Sequence, residues 1–124
     1  MQKAMVVDDS RAIRLILTRT LSQLGYEVCQ AANGREALTV LEDQPGDVSL
    51  ILVDWNMPEM NGLEFVKSVR ARDKYSDVKL MMVTTETQVE QMVAAIEAGA
   101  NEYVMKPFTK EVIEDKLRLL GEIQ

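Results

Sequence analysis

The sequence predicts an α/β fold in which five strand–helix units alternate strictly, with a parallel sheet covered by helices on both faces. Three observations lead there: short apolar runs bounded by polar residues, apolar spacing of three or four residues between those runs, and strand segments in which nearly every residue is apolar. Strands of that last kind are buried on both faces, which is the condition of a parallel sheet between two helical layers.

The elements follow in order along the chain. The first strand is residues 4–7, and Ile13, Ile16, Leu17, Leu21 and Leu24 then mark a helix that Asp9 or Ser10 can cap and that Gly25 can end in a left-handed conformation. A weaker run, residues 26–29, gives the second strand, followed by a helix with Ala37, Leu38 and Leu41 on one face and with Asn33 and Glu36 at capping-box spacing. The third strand, residues 50–53, precedes a helix marked by Leu63, Val66 and Val69, with Asn61 and Glu64 as its box. The fourth, residues 80–83, precedes Val89, Met92, Val93 and Ile96, opened by Thr87 with Glu90 and closed by Gly99. Residues 103–105 form the last strand, and Val112, Ile113, Leu117 and Leu120 the last helix.

A length of 124 residues suits one domain over residues 1–124. The longest unbroken apolar run extends only from Met92 to Ile96, so the chain reads as free of a transmembrane span or signal peptide. Fourteen basic residues against twenty acidic ones leave a net charge of −6, which gives no electrostatic attraction to nucleic acid or an anionic membrane. The single Cys29 cannot form an intramolecular disulfide or a paired metal ligand. A reducing, cytoplasmic setting is the expectation. Histidine is absent, which excludes Ser-His-Asp or Cys-His nucleophile pairs, His-ligated zinc or haem, and a phosphohistidine carrier.

Right-handed crossovers place the C-terminal ends of all parallel strands on one edge, where ligands of open α/β sheets bind. The residues at that edge are Asp8 and Asp9 after the first strand, Asp54 after the third, Thr84 at the fourth, and Lys106 with Pro107 after the fifth. Each alone is an ordinary polar strand ending. Together they are not, because carboxylates about 5 Å apart repel by roughly 3 kcal/mol per pair at an effective dielectric near 20. Such a group needs a cation or a proton. Oxygen ligands without imidazole or thiolate favour a hard dication, and Mg²⁺, which keeps several waters, fits best. A divalent ion beside a lysine and a hydroxyl is apparatus for phosphoryl transfer, and a carboxylate can act as nucleophile through an acyl phosphate, with Asp54 the best candidate.

The segments Val6-Val7-Asp8-Asp9-Ser10, Asp54-Trp55-Asn56-Met57-Pro58 with Asn61-Gly62, Met82-Val83-Thr84 and Tyr103-Val104-Met105-Lys106-Pro107-Phe108-Thr109 resemble response-regulator receiver domains, most closely the single-domain chemotaxis regulators among them. The resemblance covers essentially the whole chain. It implies a flavodoxin-like (βα)5 doubly wound sheet in the order 2-1-3-4-5, an order known for this family and not read from the residues. It further implies that Asp54 accepts a phosphoryl group from the phosphohistidine of a sensor histidine kinase or phosphotransfer protein. Asp9, Asp54 and the backbone carbonyl of Asn56 would ligate Mg²⁺, with Asp8 acting through water. Lys106 would pair with a phosphoryl oxygen, across an X-Pro bond for which the cis form is plausible. Thr84 would donate its hydroxyl to the phosphoryl group and Tyr103 would then turn inward, the two forming the switch.

Asn56 and Glu86 match the pair that accompanies rapid self-dephosphorylation in these chemotaxis regulators, although Thr85 is bulkier than the alanine common at its position. Trp55 either packs the loop beneath the site or has a role special to these regulators, and in both cases should report on metal binding. The eight methionines are scattered and read as core filling. The resemblance implies that the face of the fourth helix, fifth strand and fifth helix binds partners, in chemotaxis regulators the kinase and the flagellar motor switch. Here Gln88, Val89 and Leu119 stand at basic positions of that face, while Lys116 is kept. The chain stops after the fifth helix, which suits a stand-alone monomeric receiver and equally a receiver excised from a DNA-binding or enzymatic regulator. Self-phosphorylation and self-dephosphorylation are expected, without turnover of a free substrate.

Three rival readings remain. An aspartyl-phosphate phosphohydrolase would carry a D-x-D pair after its first strand, whereas Asp8 and Asp9 are adjacent. An FMN carrier would offer hydroxyls and amides after that strand, where two aspartates would repel a phosphate. A phosphorylation-independent adaptor would have no need of the full set of site residues.

Overall fold

The computed structural model describes residues 2–43, 48–85 and 88–124. Five strands, β1 (Lys3–Val7), β2 (Glu27–Ala31), β3 (Val48–Val53), β4 (Lys79–Thr84) and β5 (Glu102–Met105), alternate with α1 (Arg11–Gln23), α2 (Gly34–Asp43), α3 (Gly62–Arg70), α4 (Val89–Ala98) and α5 (Lys110–Leu119). All pairings are parallel and the order across the sheet is β2-β1-β3-β4-β5. The expected doubly wound architecture is therefore the observed one.

The period of two along each strand sorts the core into two layers. Met5, Val7, Ile51, Val53, Leu80 and Met82 face one way and pack with Phe65, Val66 and Val69 of α3, Ala37 and Leu41 of α2, and Ala95 of α4. Ala4, Val6, Leu50, Leu52, Met81 and Val83 face the other way, onto Leu17 and Leu21 of α1 and Ile113 and Leu117 of α5. The central strands are thus buried on both faces, which explains why their apolar runs are continuous.

Caps fix where the helices begin. Ser10 caps α1, its Oγ accepting from the Ile13 N–H at 3.3 Å. Asn61 and Glu64 form a complete reciprocal box at α3, while at α2 Asn33 accepts from the Glu36 N–H at 2.8 Å. The Thr87 half of the expected box at α4 lies outside the described residues; the helix starts with Gln88 at the N-cap, which makes no side-chain capping bond. Gly25 and Gly99 have φ of 98° and 121°, the left-handed stops expected of them.

Three departures from the sequence reading are local. β2 begins after Tyr26 and runs on to Ala31, because its polar Glu27 and Gln30 sit on an edge strand with an exposed side. A single 3-10 turn, Asp73–Tyr75, precedes β4 without an apolar period to announce it. The apolar stripe of α4 is only partly covered: Ala95 is its buried residue, whereas Val89 is 68% exposed and Val93 and Ile96 each 47%.

Candidate functional site: an acidic cluster closed by a lysine

The C-terminal edge of the sheet brings the strand-end residues together. Ligand oxygens of Asp8, Asp9 and Asp54 lie within 4.8 Å of one another, with Asp8 and Asp54 buried and Asp9 exposed. The backbone sets this spacing. Asp54 N–H donates to the Val7 carbonyl at 2.9 Å and Asp8 N–H to the Ala31 carbonyl at 3.1 Å, so both aspartates leave the sheet at the level where strand pairing ends. Gly62 closes the loop after β3, its N–H donating to the Trp55 carbonyl at 2.9 Å. A Cβ there would run into the Asp54 carbonyl, so only glycine fits.

Lys106 reaches in from the end of β5, with Nζ 2.8 Å from Asp8 Oδ2 and 3.6 Å from Asp54 Oδ2. The Lys106–Pro107 bond that holds it is cis, as the resemblance implied. Asp8 Oδ1 in turn accepts from the Ser10 N–H at 2.8 Å. Thr84 is fully buried, and its side chain hydrogen-bonds to Asp54, as does the backbone of Asn56. Tyr103 is buried, on the strand beside that of Thr84. Glu86 lies outside the described residues.

One lysine against three carboxylates leaves the cluster short of positive charge. Burial raises the Asp54 carboxyl above the usual range and Asp8 pushes the same way, while Lys106, Thr84 and Asn56 oppose them. Asp54 Oδ1 is buried without a hydrogen-bond partner among the described residues. A buried carboxylate oxygen left open in a donor group made of aspartates fits a hard, oxygen-seeking cation. The donor set is compatible with Mg²⁺.

Two contributors escaped the sequence reading. Arg14 of α1 donates from Nη1 to the Asp8 carbonyl at 2.6 Å and from Nε to Gln30 Oε1 at 3.3 Å. Its one sequence signal was an arginine near a helix N-terminus, against the dipole preference, in a helix without an acidic residue in its first turn. Glu59, in the loop between β3 and α3, has φ of 66°, and nothing in its residue type foretold a left-handed conformation. Beyond the cluster, Val89, Met92, Val93, Ile96, Tyr103 and Lys116 line a groove of about 490 Å³ along α4, β5 and α5.

A family model, the response regulator receiver domain, matches residues 4–118. A chemotaxis protein CheY homolog of Campylobacter jejuni is 48% identical over 116 residues, covering 93% of this chain and 88% of the relative. The structure of chemotaxis protein CheY4 of Vibrio cholerae superposes with a TM-score of 0.89 at 40% identity, over 97% of this chain and 98% of that one. Response regulator protein TrrA of Thermotoga maritima, solved in complex with Mg(2+)-BeF, gives a TM-score of 0.83 at 33% identity, over 97% and 99% of the two chains. Among the described residues no helix is long and apolar enough to cross a membrane. The chain belongs to the response regulator receiver domain family, a signalling module of two-component systems and not a substrate-turnover enzyme.

Proposed function

We propose that this receiver is a Mg²⁺-dependent phospho-acceptor switch in which Asp54 takes a phosphoryl group from the phosphohistidine of a sensor histidine kinase or phosphotransfer protein. The observation that carries the reading is the open, buried Oδ1 of Asp54 inside a cluster of three carboxylates closed by a single lysine. Asp9, Asp54 and the Asn56 carbonyl would hold the metal, with Asp8 contributing through water. When bound, Mg²⁺ neutralises the carboxylates and the oxygens of the incoming phosphoryl group.

An Asp54 carboxylate oxygen attacks phosphorus, the bond from phosphorus to the donor imidazole breaks, and its electron pair stays on the imidazole nitrogen, which takes up a proton. The product is an acyl phosphate. Lys106, already 3.6 Å from Asp54, pairs with a phosphoryl oxygen, and Thr84 donates its hydroxyl to another. Tyr103 follows Thr84 and couples the site to the face of α4, β5 and α5. Hydrolysis by an in-line water, with Asn56 and Glu86 tuning its access, returns the carboxylate and inorganic phosphate.

Residues 1–124 act as one receiver domain, a cytoplasmic monomer in chemotaxis, with a target such as the flagellar motor switch. Similarity to the Campylobacter and Vibrio chemotaxis proteins supports that assignment. The apolar exposure of Val89 and Val93 supports a protein target at the groove. Incubation with acetyl phosphate tests the reading. Intact mass should rise by one phosphoryl group only when Mg²⁺ is present and not in Asp54→Asn. A folded protein that binds Mg²⁺ and stays unlabelled would instead be a phosphorylation-independent adaptor.

A further inference from the structure

We propose that Arg14 is a positioning residue of the metal site, fixing the peptide that joins Asp8 to Asp9. The carbonyl it holds, at 2.6 Å from Nη1, belongs to that peptide. A peptide unit is planar, so its orientation sets the directions in which the two flanking side chains leave the backbone. The second bond of Arg14, from Nε to Gln30 Oε1 at 3.3 Å, ties the guanidinium to β2 and makes it a strut between edge strand and metal-binding turn. Asp8 is otherwise held at its N–H by Ala31 and at its carboxylate by Ser10 and Lys106, so Arg14 supplies the restraint at the carbonyl.

Both bonds of Arg14 end on neutral oxygens, although three carboxylates stand at the same edge. That arrangement gives two physical roles of opposite sign. As a bare charge, Arg14 repels a dication, and removing it should tighten Mg²⁺ binding. As a strut it keeps the Asp8 and Asp9 oxygens convergent, and removing it should weaken binding, as the loss of outer partners of metal ligands does. The inference rests on reading the acidic cluster as a Mg²⁺ site.

The test is a Mg²⁺ titration followed by Trp55 fluorescence, with thermal melting in parallel, on the full chain and on Arg14→Met, Arg14→Lys and Leu24→Ala. Leu24, at the far end of α1, packs on the core and serves as a control for general loosening. Arg14→Met should weaken Mg²⁺ about tenfold, a typical cost of losing such a partner. Arg14→Lys, which keeps the charge but not the fork, should fall between. Leu24→Ala should melt lower and bind Mg²⁺ as the parent does. At saturating Mg²⁺ the acetyl phosphate labelling of Arg14→Met should return to within about twofold of the parent, because the nucleophile itself is untouched. Unchanged or tighter Mg²⁺ binding by Arg14→Met overturns the positioning role, as does an equal loss in Leu24→Ala. A parent protein that shows no response to Mg²⁺ in fluorescence or melting overturns the metal-site reading and this inference with it.

Discussion

Asp54 is 6% exposed, and the chemistry assigned to it conflicts with stability. Burial is the main reason its carboxyl is raised, with Asp8 adding to it, so the folded protein holds the Asp54 proton more tightly than the unfolded chain does. The sign follows: the stability tied to that proton is fully present below the unfolded-state carboxyl range and is lost as the pH rises through the folded value. At neutral pH the ionised side chain is therefore a net cost, and Lys106, 3.6 Å away and shared with Asp8, offsets only part of it. Asp54→Asn in metal-free buffer at pH 7 should be more stable than the parent by about 1–2 kcal/mol, the scale of removing a buried charge that its partners compensate only in part. Urea unfolding measures this directly. The gap should close toward about pH 4, where carboxyls take up protons in both states; a gap that widens on acidification would contradict the account.

At the scale of elements, the edge opposite the site is held by a different device. Arg70, at the end of α3, donates to the carbonyls of Gly99 at 3.0 Å, Tyr75 at 3.0 Å and Val78 at 2.7 Å, and to Asn101 Oδ1 at 2.9 Å. Asn101 Oδ1 also accepts from the Leu80 N–H at 2.8 Å, so one guanidinium joins α3, the entry to β4 and the turn from α4 to β5. Glycine at position 99 is required twice over, by its φ of 121° and because a Cβ would press on the Arg70 side chain. Arg70→Met keeps the stem and strips the donors, leaving several carbonyls unpaired, and should lower stability by about 2–4 kcal/mol while leaving Mg²⁺ binding at the far edge intact. The sequence showed this architecture unevenly. β1, β3 and β4 were legible because central strands buried on both faces are apolar throughout, and β5, although an edge strand, because Tyr103 to Met105 make a short apolar run; the same register placed Asp8, Asp54, Thr84 and Lys106 at one edge. β2 was displaced because an edge strand carries polar residues. The stripe of α4 was legible as a helix but not as an exposed one, since periodicity reports an apolar face and not whether anything covers it. Arg14 and Arg70 were illegible as struts because each ends on backbone carbonyls, which carry no side-chain signature, and on one neutral amide distant in sequence, Gln30 and Asn101 respectively.

At the scale of the whole molecule, two layers of buried apolar side chains make a stiff platform, and the charged cluster sits at its rim, where strand pairing ends. A receiver works as a population shift, so what matters is how much a ligand at the rim favours one conformation of the whole. The same linkage acts on unfolding. A cation that binds the folded cluster and not the dispersed aspartates of the unfolded chain stabilises the fold by about 2.7 kcal/mol at a hundred times its Kd. For a domain of this size that is roughly a 10 °C rise in Tm. Mg²⁺ should therefore raise the melting temperature without a plateau, the rise growing with the logarithm of its concentration above Kd. Asp54→Asn should start higher without metal and gain less from it, because the substitution removes both the repulsion and a metal-binding oxygen. Equal gains in the two proteins would place the ion elsewhere on the acidic surface. Convergence of the two melting curves as Mg²⁺ increases would locate the stabilisation at the cluster, and would show that the charge excess which weakens the free receiver is the source of its affinity for the ion.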